Sequence, residues 1–456
     1  MRIAILGYGQ EGKSAKHYFQ KLGYDIQIFD NFTTDELSKI DFSNFDLVLR
    51  SPSVPPHTLW RQNRTSDPQN HTPGTEKHTS DSTDYTPNSK NHTLDSQKRT
   101  PEFSSCTQYF FTHCQAPIIG ITGTKGKGTT CSLVTAILQK LGKKVWLVGN
   151  IGKPALDVLN EIAKTDVVVY ELSSFQLWDL KISPHIAGIL RIEPDHLNIH
   201  KDFNDYLQAK GNIARFQTTA DACVFCRLSD DSTQLSQLSP GQKIPYPLEN
   251  PTPELNKLLD QLTIPGQHNR ENAQAALLIA ASFYQTQITD FIHDSYPQLA
   301  QAFTEFKGLP YRIEFLRELN HVKYYDDNFS TTLPSLEVAL AAFPKSNIIA
   351  IVGGRDKTNN AALPEIAHLL KAKATFAILI GESGKELAKI LPENNFTLAE
   401  TLPAAVKLAK EAAEKIQKNQ QQDTIVLMSP AAASFDMFHN VYDRGNQFQT
   451  LVKELK

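Results

Sequence analysis

Cysteine is scarce in this sequence: Cys106, Cys114, Cys131, Cys223 and Cys226 are the only five, and they are scattered. That leaves no disulfide framework and fits a reducing compartment. Cys223 and Cys226 do form a Cys-x-x-Cys. Their context, Ala222-Cys-Val-Phe-Cys, reads as a strand, where residues three apart point to opposite faces. No second such pair and no histidine pair follows, so two ordinary thiols are a better reading than a zinc or redox site.

Long hydrophobic runs are also missing. No apolar stretch approaches the ~18 residues of a membrane span. The start, Met1-Arg-Ile-Ala-Ile-Leu-Gly, runs into a strand-like segment with neither the apolar region nor the cleavage site of a signal peptide. The expected location is the cytoplasm. A net charge of −3 gives no basic field, which argues against nucleic acid or a membrane surface as partner. Over residues 61–102 the large apolar residues nearly vanish, with Tyr85 and Leu94 alone among Ser, Thr, Asn, His, Asp and Pro. Such a stretch buries too little surface to offset its ordering entropy and is expected to be a disordered insertion. Its histidines, His71, His78 and His92, then belong to a solvated tract without fixed geometry.

What remains is ample. At 456 residues the chain is too long for one hydrophobic core and suggests about three domains. Residues 2–30 read strand, glycine turn, helix (from Ser14 to Leu22), strand: one right-handed β-α-β unit. A short strand, Leu47-Val-Leu, ends at Ser51-Pro-Ser. Regular structure is expected to resume at Pro117-Ile-Ile-Gly-Ile. Val145-Trp-Leu-Val, Val167-Val-Val-Tyr, Ile186-Ala-Gly-Ile-Leu and Ala222-Cys-Val-Phe then alternate with helical segments. That pattern marks a mostly parallel sheet covered by helices. A third series starts near residue 309 with Lys323-Tyr-Tyr and continues through Thr424-Ile-Val-Leu-Met. The expected fold is α/β in three consecutive domains: Rossmann-like over 1–105 (including the insertion), a phosphate-loop ATPase unit over 106–308, and a second Rossmann-like unit over 309–456.

The strongest chemical signal is Gly120-Ile-Thr-Gly-Thr-Lys-Gly-Lys-Gly-Thr-Thr130, between a strand and a helix expected from Cys131 to Leu141. Glycines let backbone amides close around a phosphate, the helix N-terminus adds positive potential, and Lys127 reaches the terminal phosphates. A hydroxyl is missing where such loops place a magnesium ligand. Gly128 stands there, so Thr129, Thr130 or water must substitute. Gly7-Tyr-Gly-Gln-Glu-Gly12, with Asp30 after the next strand, fits a dinucleotide fold but serves any phosphate-bearing ligand, and no hydride-transfer site accompanies it. Glu171 closes a parallel strand near the phosphate loop, well placed to hold magnesium. Glu193-Pro-Asp-His196-Leu-Asn-Ile-His200 follows the next strand and reads as a second metal or phosphate site.

Together these segments resemble the Mur ligase family over nearly the whole chain except 61–102. The likeness rests on the loop at 123–130, Gly149-Asn-Ile-Gly152, Glu171-Leu-Ser-Ser-Phe-Gln-Leu and Asp195-His-Leu-Asn-Ile-His200. It continues through Gly266-Gln-His-Asn-Arg-Glu-Asn272, Gly308-Leu-Pro-Tyr-Arg-Ile-Glu314, Gly353-Gly-Arg-Asp-Lys357 and Ser429-Pro-Ala-Ala-Ala-Ser-Phe-Asp-Met-Phe438 with Arg444-Gly. The last block, the N-terminal glycine turn and Ser51-Pro-Ser are most similar to the branch that adds D-glutamate to UDP-N-acetylmuramoyl-L-alanine. The resemblance implies ATP-dependent ligation through an acyl phosphate during peptidoglycan precursor synthesis, by a cytoplasmic monomer acting on those small-molecule substrates.

It also implies roles. Gly123, Thr124, Lys125, Gly126, Lys127, Gly128, Thr129 and Thr130 would hold ATP phosphates, Asn269 and Asn272 the adenine, Arg312 the phosphates and Asp327 the ribose. Thr129, Glu171, His196 and Lys210 would hold magnesium, with two ions expected and Lys210 carbamylated. Lys127, His196, Lys210 and Arg312 would be catalytic. Gln10, Glu11, Asp30, Ser51, Asn150 and Ser173 would bind the UDP substrate, and Thr331, Lys357, Ser434 and Phe435 the D-glutamate. Departures from the family pattern are Gly128, Asn198 for a common aspartate, Tyr311 for a common histidine and Phe329 for a common lysine; Gln10 and Glu11 replace small or hydroxyl residues. Alternatives are another Mur- or folylpolyglutamate-type ligase, or a weakened nucleotide-binding relative.

Overall fold

The computed structural model describes residues 1–56, 100–419 and 422–456. Most of the polar tract, with its three histidines, lies outside the described residues. The described chain forms three sheets in sequence. The first holds β1 (Arg2–Leu6), β2 (Asp25–Phe29), β3 (Leu47–Arg50) and β4 (Glu102–Ser105), all parallel, in the order β2-β1-β3-β4.

The second holds β5 (Ile118–Thr122), β6 (Val145–Gly149), β7 (Val167–Glu171), β8 (Ile186–Ile189), β9 (Ala222–Cys226) and β10 (Gln242–Tyr246). Its order is β10-β9-β8-β5-β7-β6, again wholly parallel. The third holds β11 (Glu314–Leu319), β12 (Val322–Asp326), β13 (Asn347–Gly353), β14 (Phe376–Ile380), β15 (Phe396–Leu398) and β16 (Thr424–Met428), ordered β11-β12-β16-β13-β14-β15. Only the edge pair β11–β12 is antiparallel.

The apolar runs that mark β5, β7, β13 and β16 are buried along their whole lengths. Helices cover both faces of these parallel sheets, so neither face needs polar residues. One continuous core joins the first two sheets: Ile3, Ile5 and Leu47 pack with Phe110, Val168 and Tyr170 in a single cluster. The second sheet's other face has its own core, built on Ile119, Val134 and Leu277. The third sheet keeps two cores to itself.

Several boundaries differ from expectation. Structure resumes well before Pro117, with β4 and the helix Cys106–His113. β4 reads Glu-Phe-Ser-Ser at a sheet edge, so it carries no apolar run to announce it. β10 was equally silent; it contains Pro245, which an edge strand tolerates. The first helix is Gln10–Lys21 and the phosphate-loop helix Lys127–Lys140, each beginning directly on its glycine turn, about four residues earlier than expected. Lys210 lies well inside the helix Phe203–Arg215, which Asp202 caps through the Asp205 amide. Cys223 and Cys226 sit in β9 and join the cores on opposite faces of the second sheet.

Candidate active site around the phosphate loop

β5 neighbours β7 on one side and β8 on the other, and the chain leaves it in one direction and returns in the other. Ligands of open parallel sheets bind at the carboxyl ends of strands at such a switch point. The phosphate loop leaves β5 there. Gly126 caps the following helix at φ 83, where a Cβ would lie 2.5 Å from Asn272 Oδ1. Gly123 is equally constrained: a Cβ would come within 2.7 Å of that of Leu190. Thr124 clamps the loop to the strand-end segment after β8. Its hydroxyl donates to Glu193 O (2.9 Å) and accepts from Glu193 N (2.9 Å), with Tyr206 Oη also 2.9 Å away. Lys125 pairs with the Glu193 carboxylate at 3.1 Å.

Lys127 Nζ bends back to donate to Gly123 O (2.9 Å) and Thr124 O (3.1 Å), two acceptors of its own loop. Burial pushes its pKa down, against the pull of Glu171 and Asp195. Lys210 is 1% exposed and donates to Gly123 O (2.9 Å) and Thr122 Oγ1 (3.2 Å), with its ammonium 4.7 Å from the Tyr206 ring centre. Burial lowers its pKa well below the ordinary lysine value, and the Lys127 charge adds to the effect. Between the two lysines lies Glu171, whose carboxyl is raised by burial although Lys127, Arg312 and Lys210 all pull it down. Two lysines and a glutamate thus converge on one loop, each with its charged form disfavoured by desolvation.

Gly128 faces Glu171. A Cβ there would lie 3.3 Å from Glu171 Oε2 and 2.9 Å from Leu309 Cδ1, so the segment leading into the third unit leans over the loop. Of the two threonines, Thr130 is buried and its hydroxyl has no hydrogen-bond partner among the described residues, whereas Thr129 is partly exposed. His196 is exposed at φ 54, the left-handed region, with its ring 5.0 Å from that of Phe175. His200 is not free to act as a ligand: its two ring nitrogens engage Asp205 and Ser174, each at 2.9 Å. It ties the segment after Glu171 to the helix that carries Lys210.

Asn269 is buried and donates to Pro265 O (2.7 Å), and Asn272 stands against Gly126. Arg312 is exposed, with its guanidinium carbon 5.6 Å from the Phe329 ring centre. Asp327 is largely buried, and its carboxylate accepts from Ser429 Oγ (2.9 Å) and Ile313 N (3.3 Å). Desolvation pushes its pKa up to about 7. In the third unit Lys357 Nζ lies 3.4 Å from Thr331 Oγ1, Ser434 is buried with a hydroxyl that has no partner among the described residues, and Phe435 is 65% exposed. Buried Arg444 fixes the loop that bears them, donating to Ala432 O, Ala433 O and Asn328.

At the first sheet, Gly7, Asp30 and Ser51 meet at the strand ends. Tyr8 N donates to Asp30 (3.0 Å), and Ser51 Oγ fills the space beside Gly7 and lies 2.9 Å from Ser53 Oγ. Gln10 is exposed; Glu11 accepts from Gln176 and its carboxyl is raised by burial to about 7. Ser173 caps the helix Ser174–Leu177 in a capping box with Gln176, and Asn150 is exposed beside Glu171. Arg50 was not anticipated. It ends β3 wholly buried, pairs with Asp179 and donates to Val54 O and Phe175 O, joining the first unit to the second. A charged residue closing the apolar run Leu47-Val-Leu was its only sequence signal.

A phosphate loop at a switch point, with carboxylate and paired lysines around it and a further α/β unit leaning over it, defines an ATP-dependent amide-forming ligase. Comparison with known proteins makes the family definite. The pattern described as the Mur ligase middle domain matches residues 121–280, and that of the Mur ligase, glutamate ligase domain matches residues 311–431. The UDP-N-acetylmuramoylalanine–D-glutamate ligase of Aquifex aeolicus is 31% identical over 99% of both chains. Its counterpart in Clostridium kluyveri is 30% identical over 100% of this chain and 97% of its own.

The UDP-N-acetylmuramate–alanine ligase of Thermotoga maritima shares the fold over 100% of both chains, with a TM-score of 0.55 and 18% identity. The folylpolyglutamate synthase of Mycobacterium tuberculosis does so over 77% of this chain and 95% of its own, at 0.56 and 13%. This chain belongs to the Mur ligase family. Among the described residues no helix is long and apolar enough to cross a membrane.

Proposed function

We propose that the protein joins D-glutamate to UDP-N-acetylmuramoyl-L-alanine, in the cytoplasm and as a monomer, and that the site built on the phosphate loop performs the chemistry. The observation that carries this reading is the convergence of Lys127, Glu171 and Lys210 on one loop over which the Arg312 segment leans. Two full-length relatives carry that activity in their names.

A carboxylate oxygen of the UDP substrate attacks the γ-phosphorus of ATP, the bond to the β–γ bridging oxygen breaks, and ADP departs from an acyl phosphate. The D-glutamate amine then attacks the acyl carbon and gives up a proton. The carbon–oxygen bond to phosphorus breaks, and phosphate leaves carrying that oxygen. Such transfer depends on positioning and charge neutralisation rather than covalent help from the protein. Lys127 exchanges its two loop carbonyls for phosphate oxygens, and Arg312 neutralises charge from the opposite side.

A divalent cation would be held chiefly by Glu171, with Thr129 and His196 as further donors, although among the described residues no three His, Cys, Asp or Glu side chains gather into a ready metal cluster. Glu171 is a buried carboxylate facing the loop, Thr129 offers a partly exposed hydroxyl and His196 an exposed ring. Magnesium held there would screen the phosphate charge. Burial at Lys210 favours the neutral amine, the form that adds to carbon dioxide; loss of a proton would leave an N-carboxylate to join the same donor set. Exposed Asp30 and buried Ser51 at the first sheet would receive the UDP group, with Gln10, Glu11, Asn150 and Ser173 around it. Lys357, Thr331, Ser434 and Phe435 would receive D-glutamate, an ammonium facing a carboxylate. Asn269 and Asn272 would meet the adenine and Asp327 the ribose side.

Phosphate release by the purified protein tests this. It should require ATP, magnesium, the UDP substrate and D-glutamate together. Release with a folate and L-glutamate instead would assign the protein to the folylpolyglutamate-type reaction.

A further inference from the structure

Leu309-Pro-Tyr-Arg312 forms a turn over the phosphate loop, closed by Arg312 N donating to Leu309 O at 3.2 Å. Arg312 sits between two non-glycine residues in the left-handed region, Tyr311 (φ 62) and Ile313 (φ 47). Backbone of that kind persists only where its surroundings over-determine it. Here they do. Tyr311 N donates to the Glu314 carboxylate (2.9 Å), Ile313 N to Asp327 (3.3 Å) and Tyr311 Oη to Asn446 Oδ1 (2.6 Å). Gly445 clears space for the Tyr311 ring: a Cβ there would meet it at 2.6 Å.

That clamped backbone places Arg312 over an aromatic group. Phe329 N donates to Tyr311 O (3.2 Å), and the Phe329 ring centre lies 5.1 Å from that of Tyr311, tilted, and 5.4 Å from that of Tyr442, edge to face. The Arg312 guanidinium stands 5.6 Å from the Phe329 centre. Its charge reaches the loop, where it opposes the burial-driven rise of the Glu171 carboxyl and adds to the burial-driven fall of the Lys127 ammonium.

We propose that Phe329 is a positioning residue whose ring, buttressed by Tyr311 and Tyr442, holds the Arg312 guanidinium toward the phosphate loop. Arginine prefers an aromatic face, and a ring held between two others keeps the cation's approach direction fixed without competing for phosphate. The proposal rests on the reading that Arg312 neutralises the transferring phosphate.

Phe329→Leu should lower kcat about 5- to 20-fold while the KM for D-glutamate stays within about twofold. Phe329→Met, which keeps bulk without the ring, should lose as much and guards against a folding defect; Phe329→Tyr should keep at least about half the turnover. With Arg312→Ala already present, Phe329→Leu should change kcat less than about twofold. Additive losses in that double variant, or equal damage from Phe329→Tyr, would overturn the proposal. Wild-type turnover in Arg312→Ala alone would remove Arg312 from the reaction, and both readings would fall with it.

Discussion

The missing hydroxyl at Gly128 sets a question that two neighbouring side chains answer differently. Thr130 keeps its hydroxyl in the interior with no partner among the described residues, whereas Thr129 holds its own at the edge of the loop. Replacing the buried hydroxyl by a methyl removes an unsatisfied polar atom, a change that is near neutral or stabilising. Thr130→Val should therefore hold or raise the melting temperature and leave the magnesium requirement unchanged. Thr129→Val should raise the magnesium concentration for half-maximal turnover several-fold. A magnesium titration of both variants decides between the two threonines.

Glu11 carries a second residue-scale prediction, because burial raises its carboxyl to about 7 while an unfolded glutamate titrates near ~4.3. Between those values the folded protein keeps a proton that the unfolded chain has lost, so this group's contribution to stability falls as pH rises from about 4 to about 7. Glu11→Gln removes the penalty. Its melting temperature relative to wild type should climb from pH 5 to pH 8, and a constant difference would contradict the assignment.

At the scale of elements, strand-turn-helix units were legible wherever an apolar run met a glycine turn. β1 and β5 carry that signature, each apolar run leading through a glycine turn into a helix. What escaped was held by pairing rather than composition: the edge strands β4 and β10, and the capped start of the helix around Lys210. The same division applies to the site. The positions of Lys127 at the loop after β5 and of Glu171 at the end of β7 could be read from the sequence. Lys210 needed the family likeness, because nothing in its local sequence says that its helix buries it against the loop. The roles of Arg50 and His200 depend on partners in distant segments. The phosphate loop is the element most open to test. Alanine at Gly126 would take a left-handed conformation costing ~1–3 kcal/mol and press on Asn272. Gly126→Ala should raise the apparent KM for ATP at least about tenfold without changing the circular dichroism spectrum, as an ATP titration would read.

For the molecule as a whole, the first two units share a core and the ion pair of buried Arg50 with Asp179, whereas the third meets the second at its leaning turn and where Ala342 approaches Gly266. Arg50 has no solvent to turn to if Asp179 is removed. Breaking a buried pair on one side costs ~3–5 kcal/mol, whereas replacing both partners by apolar groups is often near neutral. Asp179→Ala should therefore lower the urea midpoint of the first unfolding transition more than Arg50→Met with Asp179→Leu does. A larger loss in the double variant would show that the pair is not the strut. The central claim concerns what the assembled units make. The direct measurement is a single incubation of the protein with ATP, magnesium, D-glutamate and UDP-N-acetylmuramoyl-L-alanine whose carboxylate carries heavy oxygen, read by mass spectrometry. The account predicts the D-glutamyl amide together with phosphate that has acquired one heavy oxygen from the substrate. Phosphate without heavy oxygen, or no amide with D-glutamate while another amino acid is joined, would contradict it.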